Sequence, residues 1–163
     1  MLELEESRKE AYRLFLTAHS RLNATIDREM TKAGLLPLNW YDVLVSLEYA
    51  EDHSLRMSDL ANAVLLSRSG LTRLVDKLEQ RGYVTRKVCP RDKRGSLAVL
   101  TAEGQQARAS SWPLFSSLVA ELFGNQMTDN EATTVSSVMM RSVSAVRQFD
   151  EDVSGVSLSS RRI

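Results

Sequence analysis

Apolar residues in the first third of the chain recur at the three- and four-residue steps of amphipathic helices. Between residues 3 and 32 this stripe comprises Leu14, Leu22, Ile26 and Met30. The spacing predicts one long helix, which Gly34 and Pro37 end. A second predicted helix then runs to about Ala50 and carries Trp40, Val43, Leu44 and Leu47.

The elements in the middle of the chain are shorter. Residues 57–64 predict a brief helix, and Ser67 is a favourable N-cap for the helix after it. In that next helix the apolar positions fall at i, i+3, i+4 and i+7, namely Leu71, Leu74, Val75 and Leu78. Gly82 lies just past its end, where a left-handed residue commonly terminates a helix.

Two β-prone runs follow these helices. They span residues 83–89 and 97–101, and the segment 90–96 between them contains Pro90 and Gly95. The pattern predicts a hairpin with a basic turn. Two short helices followed by such a hairpin form a winged helix-turn-helix.

The last third of the chain returns to helical spacing. A helix of about twenty residues is expected after Thr101. Thr128 and Glu131 form a capping box that opens a final helix with an apolar stripe of Val135, Val138, Met139, Val143 and Val146. The Ser-rich residues from 153 to 163 predict a loose tail. The expected fold class is therefore mainly α with a small β-hairpin wing.

Length and composition exclude several classes of protein. The chain has 163 residues and one Cys, so an internal disulfide framework is excluded. No run approaches ~18 consecutive apolar residues, and the first residues are acidic, unlike the basic start of a signal peptide. We therefore expect a cytoplasmic protein without a membrane partner.

The formal net charge of zero conceals an uneven distribution. Residues 67–94 contain nine basic and three acidic side chains, a net of +6, whereas residues 1–66 carry −4 and residues 95–163 carry −2. A basic cluster of this kind is typical of a surface that binds a polyanion, although a merely solvated basic face would give the same count.

The second helix of the predicted motif and the hairpin turn carry most of this charge. If the apolar face of the helix points inward, its outer face consists of Ser67, Arg68, Ser69, Thr72, Arg73 and Lys77, with Asp76 at its edge. Hydroxyls and guanidinium groups are the donors that reach phosphates and base edges in a DNA major groove. The turn adds Arg91, Lys93 and Arg94, which suit the negative potential of a minor groove.

These segments resemble the MarR family of bacterial winged-helix regulators. The resemblance rests on the run from Ser67 to Val84, on Asp92-Lys93-Arg94-Gly95 in the wing, and on Leu100-Thr101-Ala102-Glu103-Gly104 after it. It extends over about residues 10 to 150. Two positions depart from the family pattern: Arg56 stands where a Thr cap is common, and Leu65 where a Gly is common.

The resemblance implies a homodimer that binds a palindromic double-stranded DNA operator as a transcriptional regulator, with repression as the expected output. It assigns residues 1–36 and 102–152 to a helical dimerisation region from both termini and residues 37–101 to the DNA-binding domain. Ser67, Arg68, Ser69, Thr72 and Arg73 would meet the major groove, and Arg94 the minor groove. Five further basic residues would serve only to steer phosphates, namely Lys77, Arg86, Lys87, Arg91 and Lys93.

Family members often respond to small phenolic or aromatic carboxylate effectors. Four residues are candidates for such a pocket, namely Tyr12, His19, Trp40 and Tyr41. A Trp or Tyr at helical spacing is, however, more often a core residue, and a lone His is more often exposed or hydrogen-bonded than part of a ligand site. Cys89 lies away from the helix where a sensing thiol is usual. His19 and His53 do not form a metal cluster, and no cofactor is expected.

Enzymatic function is not predicted, because the chain contains no phosphate-binding loop, zinc-binding helix motif or nucleophile elbow. An RNA-binding or protein-binding winged helix remains as the alternative. A protein-docking helix would expose apolar anchors rather than the hydroxyls and cations of residues 67–77.

Overall fold

The computed structural model describes residues 4–64, 66–89 and 92–159. Six α-helices lie in this part of the chain: α1 (Glu6–Lys32), α2 (Leu38–Glu48), α3 (Met57–Ala63), α4 (Arg68–Gln80), α5 (Ala102–Leu122) and α6 (Asp129–Ser159). Three strands accompany them: β1 (Ser54–Arg56), β2 (Val84–Cys89) and β3 (Asp92–Leu100). The predicted fold class, mainly α with a small β wing, is confirmed.

The chain divides into two compact units, residues 1–119 and residues 120–163. The first unit contains the helix-turn-helix, and its core includes the four predicted residues of α4, each at most 6% exposed. Around them lie buried residues of the neighbouring helices: Ile26, Met30, Val43, Leu44, Leu47 and Leu60. The apolar face of α1 near its C-terminus therefore belongs to this core. The extent of the dimerisation region stays a prediction.

Two glycines end their helices as the sequence predicts. Gly82 has φ +75°, and the backbone N–H groups of Gly82 and Tyr83 donate to the carbonyls of Glu79 and Leu78. This is the Schellman arrangement, which satisfies two terminal carbonyls of α4. Gly34, with φ +72°, ends α1 in the same way. A residue with a Cβ would be strained at either position.

The sheet has three antiparallel strands in the order β1-β3-β2. Leu55 of β1 pairs with Ala98, and Lys87 of β2 pairs with Leu97. Strand β1 was not predicted, because it is only three residues long and exists through pairing with distant β3. It follows a turn in which Asp52 and His53 have positive φ.

The start of α5 explains the Leu-Thr-x-x-Gly sequence at the end of the wing. Thr101 Oγ1 donates to the carbonyl of Gly82 at 2.6 Å and accepts from the backbone N–H of Gly104 at 3.1 Å. Gly104 is buried, and a Cβ there would lie 2.2 Å from the Tyr83 carbonyl oxygen. Thr101 thus caps α5, while Gly104 permits close contact between α5 and the segment that precedes β2.

The second unit consists mainly of α6. The predicted capping box is confirmed: the Thr128 N–H and hydroxyl both donate to Glu131 Oε2 at 2.8 Å. The loose tail predicted from residue 153 is wrong for residues 153–159, which continue α6 to Ser159. Extending an existing helix fixes only one residue per added hydrogen bond, so a Ser-rich sequence without Pro can continue it. Residues 160–163 lie outside the described residues.

No helix in the described ranges combines the length and apolar character needed to cross a membrane.

Candidate nucleic-acid interface

Helix α4 separates its apolar and polar residues onto opposite faces. Opposite the buried face, the predicted outer residues Ser67, Arg68, Ser69, Thr72, Arg73 and Lys77 are all exposed. Ser67 Oγ accepts from the backbone N–H of Gly70 at 3.1 Å, which fixes the start of the helix. The remaining amide donors of the first turn and the positive end of the helix dipole make this end favourable for an anion.

Arg86 of β2 holds the wing against α4. Its guanidinium lies 2.6 Å from Asp76 Oδ1 and 2.9 Å from Glu79 Oε2, and it also donates to the Thr72 carbonyl at 3.3 Å. The backbone N–H of Arg86 donates to Glu79 as well. The assignment of Arg86 to phosphate steering is therefore wrong, because its donors are directed to two carboxylates and a carbonyl of α4.

The same contacts change the charge balance of α4. Asp76 and Glu79 are the acidic residues of this helix. With Arg86 beside both carboxylates, their repulsion of a nearby polyanion is reduced at short range. The basic residues Arg68, Arg73 and Lys77 therefore dominate the potential at the exposed face. Lys87 of β2 is also exposed.

The wing differs in detail from the prediction. Lys93 and Arg94 belong to strand β3, not to a seven-residue turn. Val88 pairs with Ser96, yet the next residue, Cys89, pairs with Asp92, so residues 93–95 form an irregularity in the ladder. An irregularity of this kind needs the partner strand to be recognised, and short-range patterns do not specify it. Arg91 lies outside the described residues.

A cleft of about 470 Å³ lies between the wing and the helix-turn-helix. Its lining comprises Arg56, Met57, Ser58, Arg68, Thr72, Gly95 and Ser96. Arg56 occupies the N-cap position of α3 but makes no side-chain capping bond. Arg56 was not among the predicted site residues, although a signal existed, since it is the only Lys or Arg between positions 33 and 67.

The four predicted effector residues do not come together. Tyr12 and His19 are exposed on α1, where His19 Nε2 lies 3.1 Å from the Asn23 amide nitrogen. Tyr41 is 2% exposed and stacks on Phe115 with ring centroids 4.4 Å apart, and burial raises the pKa of its phenol. Tyr41 is therefore a core residue.

Trp40, one of these four residues, lines a cavity. This cavity has a volume of about 420 Å³. Its lining also includes residues of the α1–α2 connection, of the segment at the end of α4, and of α5, among them Leu36, Arg81, Tyr83 and Ser110. Trp40 meets Tyr83 edge-on with centroids 6.3 Å apart. These neighbours of Trp40 were not predicted from the sequence, because only the tertiary fold brings them together.

Comparisons with known proteins agree with this geometry. Residues 33–95 match a family model described as MarR family. The transcriptional repressor MprA of Escherichia coli strain K12 is 26% identical over 160 residues, which cover 93% of this chain and 90% of MprA.

Two solved structures from Streptomyces coelicolor superpose on this chain. AbsC, a MarR family transcriptional regulator, gives a TM-score of 0.80 at 27% identity over 91% of this chain and 99% of AbsC. Sco3205, a MarR family transcriptional regulator in complex with DNA, gives 0.80 at 28% identity, over 89% of this chain and 91% of Sco3205.

Proposed function

We propose that this chain, a DNA-binding transcriptional regulator of the MarR family and not an enzyme, is a ligand-responsive repressor that binds a palindromic operator as a homodimer. The observation that carries the proposal is the exposed face of α4, where hydroxyls and cations lie opposite a buried apolar face. A helix with such a face can insert into a DNA major groove. The name of MprA supports repression as the output.

Each residue of this face has a proposed role. Ser67, Ser69 and the first-turn amides of α4 contact phosphate, and Arg68, Thr72 and Arg73 reach base edges and the flanking backbone. Lys77 lies further along the helix and contacts phosphate. In the wing, Arg94 enters the minor groove, while Arg91 and Lys93 contact the backbone there.

The homodimer is supported by apolar side chains that a single chain leaves exposed. On α6, Val143, Val146 and Phe149 are 59%, 61% and 68% exposed. On α1, Tyr12, Leu14 and Phe15 are 45–61% exposed. Large contiguous apolar faces on a soluble regulator indicate an interface between subunits. A second copy also doubles the DNA contacts, because two α4 helices about one DNA turn apart read the two halves of a palindrome.

The cavity beside Trp40 is the proposed effector site. Its volume of about 420 Å³ is within the range of small-molecule pockets, which is roughly 300–1,000 Å³. Trp40 and Tyr83 offer aromatic faces, and Arg81 offers a guanidinium for a carboxylate. Because Arg81 is the C-cap residue of α4, a ligand there contacts the C-terminal end of α4 directly. We propose an aromatic carboxylate as the effector.

Selection of bound duplexes from fragmented genomic or random DNA tests the proposed function. The expected result is enrichment of a palindromic site with half-sites about one turn apart, and release of that site when an aromatic carboxylate is added. Arg73→Ala is expected to weaken binding without changing thermal stability by more than about 1 kcal/mol. Arg21→Ala, on α1, is the matched control. Failure to enrich any duplex would contradict the proposal.

A further inference from the structure

Arg56 and Arg68 come from different elements but line one cleft. Arg56 ends β1 and precedes α3, whereas Arg68 begins α4. The other polar side chains described in its lining are the hydroxyls of Ser58, Thr72 and Ser96, and no carboxylate is among the lining residues that the structure describes. Its chemistry is therefore that of an anion site, with two cations and several hydrogen-bond donors facing the same space.

The two guanidinium groups are available to a ligand. Among the side chains that the structure describes, neither guanidinium has a hydrogen-bonding or ion-pair partner, in contrast to the guanidinium of Arg86. Arg56 is half-buried, so its charge has lost part of its hydration. A partly desolvated cation without a counter-charge is unfavourable, and an anion in the cleft would remove that penalty.

The backbone of Arg56 is held beside the cleft by the sheet. Arg56 pairs with Leu97 of β3, which fixes its Cα on the sheet. As the N-cap residue of α3 it contributes no side-chain capping bond. Ser, Thr, Asp or Asn would stabilise the helix better at this position. The side chain of Arg56 is thus not explained by the local needs of α3.

We propose that Arg56 and Arg68 together hold one phosphate of the DNA backbone in this cleft. The inference rests on the proposed DNA-facing role of α4 and extends the interface to the start of α3. The cleft shares Arg68 and Thr72 with that face and is bounded by Gly95 and Ser96 of the wing. A duplex that contacts both α4 and the wing passes over the cleft between them. A free anion has the same chemistry as a phosphate of the DNA backbone, so the test distinguishes binding of DNA from binding of a free anion.

The test compares Arg56→Thr with the unaltered full-length chain. Thr removes the charge and adds a favourable helix cap, so the variant is expected to fold at least as stably. The affinity for a selected duplex is measured across a series of salt concentrations. The logarithmic salt slope is expected to become shallower by about 1 for each bound protomer, because one phosphate contact is lost. The ratio of affinities for the selected and a scrambled duplex should not change.

Two further variants act as controls. Arg56→Lys keeps the charge and should retain most of the slope. Arg21→Gln removes one exposed charge from α1 and should leave the slope unchanged. An Arg56→Thr slope equal to that of the unaltered chain would overturn the inference.

A titration with inorganic phosphate at constant ionic strength tests whether the cleft binds a free anion instead of a DNA phosphate. If the cleft binds a free anion instead of DNA, phosphate raises the melting temperature of the unaltered chain but not of Arg56→Thr, while the two DNA salt slopes coincide. That result would also overturn the inference. A flat salt response in the unaltered chain would instead contradict the proposed function, so the two failures can be distinguished.

Discussion

The charge that α4 presents depends on one residue of the neighbouring strand. Arg86 lies beside both Asp76 and Glu79, and its backbone N–H bonds to Glu79 as well. Its side chain is 28% exposed, so the pairs are partly shielded from water. Arg86 therefore fixes the wing on α4 and offsets the carboxylates that would repel DNA.

Replacing Arg86 by Ala is expected to weaken DNA binding more than it reduces stability. The free energy of unfolding should fall by about 1 kcal/mol, since both carboxylates remain substantially solvated. The affinity for duplex DNA should fall as well, because two unpaired carboxylates then face the polyanion.

Adding Asp76→Asn and Glu79→Gln to Arg86→Ala should restore part of the affinity. Fluorescence anisotropy with a labelled duplex, together with thermal melting, checks both effects. If the triple variant binds no better than Arg86→Ala, the electrostatic role assigned to Arg86 is wrong.

Gly104 is expected to tolerate no side chain. A Cβ at this position would lie 2.2 Å from the backbone oxygen of Tyr83, so Gly104→Ala must move α5 or the chain before β2. Overpacking of this type costs about 1–3 kcal/mol. Chemical denaturation of Gly104→Ala measures the loss, and Glu103→Ala, exposed on the same turn, should stay within about 0.5 kcal/mol of the unaltered chain. Equal stability of the two variants would contradict the packing described for α5.

At the scale of elements, the sequence predicted what local patterns encode. The stripe of α4, its Ser67 cap, the Gly82 stop and the capping box of α6 all depend on residues within a few positions of one another. Strand β1 and the irregularity at residues 93–95 depend on pairing with β3, and a local pattern does not contain that information. The polar face of α4 was predictable for the same reason as its apolar face, whereas the clefts that Arg56 and Arg81 line are formed only by the tertiary fold.

The capping box of α6 should make the stability of that helix depend on pH. Hydrogen bonds from the Thr128 N–H and hydroxyl lower the pKa of Glu131 below its ordinary value of 4.5. A lowered pKa in the folded state means that the stabilisation is present above about pH 4.5 and is lost as the pH falls through the folded value.

Thermal melting of the unaltered chain and Glu131→Gln between pH 7 and pH 3 measures this effect. The difference in melting temperature should be largest near neutrality and shrink at acidic pH. A difference that does not change with pH would show that the ionised carboxylate is not the stabilising group.

At the scale of the whole molecule, the proposed function requires two copies of the chain. The four predicted core residues of α4 are buried within one chain, whereas the apolar stripe of α6 is exposed there. The buried residues of α4 stabilise the fold of one chain, and the proposed dimer would cover the exposed stripe of α6. The resemblance implied this arrangement from sequence, but the assignment of residues 1–36 and 102–152 to dimerisation stays a prediction.

A charge on the α6 stripe is expected to break the dimer. Val146 is 61% exposed in the single chain and lies within the stripe, so Val146→Glu should place a carboxylate in the proposed interface. Sedimentation equilibrium should show a dissociation constant raised by at least tenfold. Ser144→Glu, on the opposite side of the helix, is the control and should remain dimeric. A Val146→Glu protein with unchanged self-association would contradict an interface on this face.

The central claim is that the basic face of α4 and the wing bind DNA. The salt dependence of binding to a selected palindromic duplex tests this claim most directly. Each phosphate neutralised by Lys or Arg contributes about 0.9 to the negative slope of log K against log salt concentration. A dimer that uses the proposed residues should lose affinity by about 10³-fold or more between 50 and 200 mM salt. A flat titration, with affinity unchanged over that range, would contradict the account.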